Sequence, residues 1–157
     1  MDLQELFGPQ DVRVAFEAAD KWDAIEQLVD HLVARGSVPA EARPGLLDAV
    51  LARERSMSTG MERGLAIPHA AVDELEDVCA CLAVVPEDGL AFESIDGSPA
   101  RLIVLLLIPR ARKLLHIRTL ADVARVLGRE EVRRALFAAA SAQDAWQALG
   151  EPAPKST

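Results

Sequence analysis

The sequence predicts an α/β layered domain. Two continuous apolar runs of strand length, Val78–Val85 and Leu102–Ile108, fit central strands covered on both faces. Segments with the apolar spacing of amphipathic helices lie before and after them, so helices are available for either side of a sheet. Periodicity alone leaves the strand order open.

The elements follow in chain order. Val12, Val14 and Phe16 alternate with Arg13 and Ala15, the period of a half-buried strand. Asp20 is an N-cap candidate and Asp23 sits where a carboxylate favours the helix dipole. Ile25, Leu28, Val29, Leu32 and Val33 then form one apolar helical face that stops at Gly36. His31 falls off this stripe and reads as a solvated side chain. A second helix is expected from Pro39 or Ala40 through Leu46, Leu47, Val50 and Leu51 to about Glu54, its first half blurred by Pro44 and Gly45. Ser56–Gly64 has no sustained period and reads as an ordered loop. Leu65–Ile67 is a short apolar strand cut off by Pro68, with a loop from Ala70. Between the two central strands lies a turn-rich connection with Asp-Gly twice and a short strand at Leu90–Phe92. Helices are expected over Leu114–Leu127, ending at Gly128, then over Glu130–Ala140 and Ala142–Leu149.

A chain of 157 residues fits one domain, expected over residues 1–150, with a frayed polar tail over 151–157. Half of the residues are hydrophobic, which suits a packed core, but aromatics supply only 4%. That core is therefore built from Leu, Val, Ile and Ala. The net charge of −8 disfavours nucleic acid and anionic lipid as partners and suits a partner with a basic face. Cys79 and Cys81 lie two apart in a strand, so they share a face and read as buried thiols. The first residues carry no basic region followed by an apolar stretch, and the longest apolar run is too short to span a bilayer. A soluble cytoplasmic protein is expected.

Chemistry concentrates in three places. Arg53-Glu54-Arg55 leads into Ser58-Thr59-Gly60, His69 follows Ile67-Pro68, and His116 stands at the head of a helix. There is no phosphate-binding P-loop, no G-x-S-x-G elbow and no pair of histidines at metal spacing, so neither cofactor nor metal is expected. An unprotonated imidazole is a nucleophile near neutral pH. Once phosphorylated it needs donors for the phosphoryl oxygens. Arg53 can supply fixed positive charge, His116 an N–H donor, and Ser58, Thr59 and nearby amides the rest of a cradle.

The segment Leu51–Ala70, LARERSMSTGMERGLAIPHA, resembles the active-site signature of the mannitol/fructose class of phosphotransferase-system (PTS) IIA domains, the EIIA type-2 domains. The resemblance implies that His69 accepts the phosphoryl group and that Arg53 and His116, the latter in LLHIRTLADVARVL, belong to the same site. The stretch DGLAFESIDGSPARLIVLLLIP is similar to that of the nitrogen-regulatory branch. Together these features imply a mixed sheet with helices on both faces, an HPr-like protein as donor, and a phosphohistidine carrier of regulatory type. A sugar-specific IIA component passing phosphate to a IIB protein, or a binding module that works unphosphorylated, are the alternatives. Many relatives of the resembled class carry a basic or polar residue soon after the histidine, whereas this chain has Ala70-Ala71. The expectation is that either the phosphoryl cradle loses a donor or the acceptor surface differs.

Overall fold

The computed structural model describes residues 2–150; the tail expected over 151–157 lies outside the described residues. The strands are β1 (Val12–Arg13), β2 (Leu65–Ala66), β3 (His69–Val72), β4 (Cys79–Val84) and β5 (Leu102–Pro109). The helices are α1 (Leu3–Leu6), α2 (Lys21–Ala34), α3 (Arg43–Ser56), α4 (Lys113–Leu127), α5 (Glu130–Ala138) and α6 (Ala142–Leu149). The sheet runs β1-β4-β5-β2, with β3 also on β5. β4 is antiparallel to β5, while β1 is parallel to β4 and both β2 and β3 are parallel to β5, so the sheet is mixed.

Every residue of β5 is buried, which explains its unbroken apolar sequence. Leu102, Val104, Leu106 and Ile108 meet the layer of α4, α5 and α6 through Val123, Leu127, Leu136 and Ala145. Ile103, Leu105 and Leu107 meet α2 and α3 through Ile25, Leu28, Leu46 and Val50. The period of two thus divides one strand between two cores. Cys81 lies in the α2–α3 layer, and the free Cys79 packs against the same layer.

α2 begins as its sequence requires: the Asp20 carboxylate accepts from the Asp23 amide at 2.8 Å. It ends at Gly36, whose φ of 80° lets the Gly36 and Ser37 amides turn back to the Val33 and Leu32 carbonyls. Pro44 falls in the first turn of α3, where its missing N–H removes no intrahelical bond, so the helix starts despite it. Among the described residues no helix is long and apolar enough to cross a membrane.

Several local expectations are corrected. β1 stops at Arg13 because Ala15 adopts φ 53°, although Phe16 is still buried and donates to Val84. His31 is not solvated; its Nε2 lies 3.1 Å from Asp11, which also accepts from Arg35. Leu90–Phe92 forms only an isolated bridge from Leu90 to Ala100. α5 ends at Ala138, two residues early, and the short α1 was unforeseen.

A Leu105→Ala change removes three buried carbons from the wholly covered strand. It should cost about 2–5 kcal/mol, read as a lower denaturant midpoint with an unchanged m-value. A midpoint within error of wild type would mean that the α2–α3 layer does not press on β5 as described.

Candidate active site

The edge next to β5 is one strand interrupted. Ala66 is opposite Ile103 and His69 opposite Leu106, so β2 and β3 keep a common register across Ile67-Pro68. Pro68 has no N–H to give to a ladder. Its carbonyl still accepts from the Leu106 amide at 3.0 Å, while the Ile67 carbonyl is met by His69 Nδ1 at 2.7 Å. His69 therefore opens a strand instead of entering a loop from Ala70. Strand alternation puts it on the side of α4, and its ring meets the ring of His116 edge-on with centroids 5.4 Å apart.

A carbonyl can only accept, so Nδ1 carries the proton and Nε2 keeps its lone pair. Burial holds the His69 pKa below its ordinary 6.5, and the charges of Arg53 and His116 act in the same direction against the opposing bond to Ile67. The imidazole is thus neutral and nucleophilic at neutral pH.

Arg53 sits in the last turn of α3, where Nη1 donates to the Met57 carbonyl at 2.7 Å. One cavity of about 320 Å³ brings together Arg53, His69 and His116, with Arg110 and the small Ala70 and Ala71. A second, of about 240 Å³, contains Arg53, His69, Ser58 and Thr59, with Ile95 and Leu120. All the residues predicted for the site meet here. The two hydroxyls, however, are not available to donate: Ser58 donates to the Phe92 carbonyl and Thr59 to Glu54 at 2.6 Å. Their part is to shape the loop, and Gly60 completes it. A Cβ there would lie 2.9 Å from Ser94 Cα and 3.0 Å from the Phe92 carbonyl oxygen.

Glu54 was missed, and its signal was present. It follows Leu46 and Val50 at helical spacing, so a carboxylate occupies the apolar stripe of α3. It is 2% exposed and accepts from Lys21 Nζ at 3.1 Å and the Thr59 amide at 3.0 Å, besides the Thr59 hydroxyl. Burial works against the Lys21 charge, but bonds to Glu93 and Glu54 outweigh it and raise its pKa. This network ties the starts of α2 and the site loop to the end of α3. The charge around His69 also departs from the chain's balance: Arg53 and Arg110 line the two cavities, and no Asp or Glu does among the described residues. A partner meets a less acidic face there than the net −8 suggests, although Asp73 pairs with Arg110 beside it.

The family model described as "Phosphoenolpyruvate-dependent sugar phosphotransferase system, EIIA 2" matches residues 5–151. A Haloferax volcanii protein named PTS system fructose-specific EIIA component is 37% identical over 133 residues, 85% of this chain and 84% of that protein. A Bradyrhizobium diazoefficiens protein named nitrogen regulatory protein is 28% identical over 152 residues, 97% of each chain. The crystal structure of nitrogen regulatory protein IIA-Ntr from Neisseria meningitidis superposes with a TM-score of 0.82 at 24% identity, covering 94% of this chain and 98% of that one. At that identity the superposition shows the shared fold.

Two outcomes follow from this geometry. Glu54→Gln leaves Lys21 buried against an uncharged amide, with only the exposed Glu93 as counter-ion. It should lower stability by about 3 kcal/mol and speed hydrogen exchange at the Thr59 amide; unchanged exchange would remove Glu54 from the support of the loop. His69 should titrate below 6.5 in an NMR pH series, and Arg53→Ala should move the midpoint upward, since it removes a cation that opposes protonation. A midpoint that stays put or falls in that variant would separate Arg53 from His69 electrostatically.

Proposed function

The chain belongs to the phosphoenolpyruvate-dependent sugar phosphotransferase system EIIA 2 family of phosphotransfer proteins, and from that premise we propose that His69 is the residue that takes up and passes on the phosphoryl group. The bond from His69 Nδ1 to the Ile67 carbonyl carries this reading, because it leaves Nε2 as the attacking nitrogen. Nε2 attacks the phosphorus of a donor phosphohistidine on an HPr-like protein. The new N–P bond forms as the donor's N–P bond breaks, and the electron pair returns to the donor's ring nitrogen. Arg53 offsets the charge of the phosphoryl oxygens, and His116 donates an N–H to them from the head of α4. Both assist without forming the bond. Ser58 and Thr59 act indirectly, by holding the loop that walls the cavity.

Near-complete coverage of nitrogen-regulatory relatives favours a carrier of regulatory type, acting in the cytoplasm, whose phosphorylation state governs binding to a target protein. The 37% identity to a fructose-specific EIIA component favours a second reading, delivery of the phosphoryl group to a IIB protein. Mixing the phosphorylated chain with a IIB protein separates them, since only the second predicts rapid loss of the label to a IIB cysteine.

Incubation with enzyme I, the HPr-like protein and phosphoenolpyruvate should add a single acid-labile phosphoryl group by intact mass. The group should be absent from His69→Ala. Arg53→Ala and His116→Ala should still be labelled at His69, but slowed by about 10- to 1000-fold in single turnover. Label on the His69→Ala protein would defeat the assignment.

A further inference from the structure

We propose that Arg110 is a phosphoryl-binding residue, standing in for the donor that the sequence lacks directly after His69. The inference rests on His69 being the phosphorylated residue and adds a ligand to that site.

Arg110 follows the last residue of β5 and extends the ladder, its amide donating to the Val72 carbonyl at 2.7 Å. The side chain turns back along β3, the strand that His69 opens. Nε donates to Asp73 at 3.0 Å and Nη2 to the Ala71 carbonyl at 2.9 Å. A guanidinium has five N–H groups. These two bonds take Nε–H and one hydrogen of Nη2, which leaves three, and the Ala71 carbonyl that holds Nη2 is fixed in β3.

The cavity that contains His69, Arg53 and His116 is the one Arg110 lines. Ala71, on the same face of β3 as His69, ends at Cβ, so no larger side chain from that face of β3 fills the space between the imidazole and the guanidinium. Arg53 reaches the cavity from α3 and Arg110 from the β5–α4 connection, so two guanidinium groups from separate elements serve one small volume. Arg donors match phosphoryl oxygens in a fork, and a fixed fork loses little freedom on binding. The alternative is a surface ion pair. Arg110 and Asp73 have side chains 60% and 76% exposed, and a pair of that kind contributes little to folding.

Two measurements decide between them. In the first, inorganic phosphate is titrated into the unphosphorylated protein and followed by NMR at the Arg110 Nε–H and the His69 ring. Wild type should respond at both, and Arg110→Ala should bind phosphate about 10-fold more weakly. In the second, phosphoramidate serves as a small donor that needs no protein docking. Its P–N bond breaks as the Nε2–P bond forms, and ammonia leaves after taking a proton. Arg110→Ala should label about 10- to 100-fold more slowly, with an unchanged denaturant midpoint, and Arg110→Lys should recover part of the rate. Equal phosphate affinity in wild type and Arg110→Ala would overturn the inference whether or not labelling succeeds, as would a wild-type labelling rate in that variant. Failure of wild type to be labelled on His69 by either donor would instead count against the phosphocarrier reading.

Discussion

The site depends on one short hydrogen bond, from His69 Nδ1 to the carbonyl of Ile67 two residues back. The Pro68 carbonyl points to β5, where it accepts from Leu106, so the carbonyl of Ile67 faces away from that ladder, on the side from which its amide reaches Thr59. It is therefore free to accept from the ring, and the bond fixes both the rotation of the imidazole and its tautomer. Since β3 resumes at once on β5, whose residues are all buried, the proposed nucleophile His69 is mounted on the most firmly covered part of the fold. Rigid support for a reacting group lowers the reorganisation required in the transition state.

The other half of the site comes from a different layer, and the buried Glu54 is what couples the two. α3 packs on the α2–α3 face of the sheet, opposite the side on which His69 meets α4. Arg53 reaches around the sheet edge from the end of that helix. Glu54, one residue on, holds Thr59 by its amide and hydroxyl and is itself held by Lys21. Losing this carboxylate would leave the buried ammonium with only the exposed Glu93, so the network resists rearrangement even where its net contribution to folding is small. The loop that lines the second cavity is thereby kept in place without a hydrophobic core of its own.

Legibility in the sequence followed the range of the forces involved. Central strands and the helices α2, α4 and α6 were readable because burial on one or two faces imprints a local period. The convergence of Arg53, His69 and His116 became readable through the family resemblance, and the cavity contains all three. What escaped was set by partners distant in sequence. His31 faces Asp11 across 20 positions, so no local pattern distinguishes it from a surface histidine. The hydroxyls of Ser58 and Thr59 looked free for a phosphoryl group, but Phe92 and Glu54 had already claimed them. Resumption of the strand at His69 was hidden because Pro68 reads locally as a terminus, whereas pairing with β5 continues beyond it.

The charge distribution shows why a net value is a poor guide to what a partner meets. The chain carries 25 acidic and 17 basic residues, yet the two cavities around His69 are lined by arginines and by no carboxylate among the described residues. Screening confines a partner's view to about 8 Å at physiological ionic strength, so it senses the arginines more than the distant acids. A phosphoryl group on a side chain brings a charge of about −1.5 to −2. For the whole chain that is a modest addition to −8, but on this face Asp73 already offsets Arg110, and the added charge outweighs that of Arg53. The proposed phosphorylation of His69 would therefore change the sign of the local field. With β3 held along β5, the phosphoryl group itself is what would give this face its second charge state.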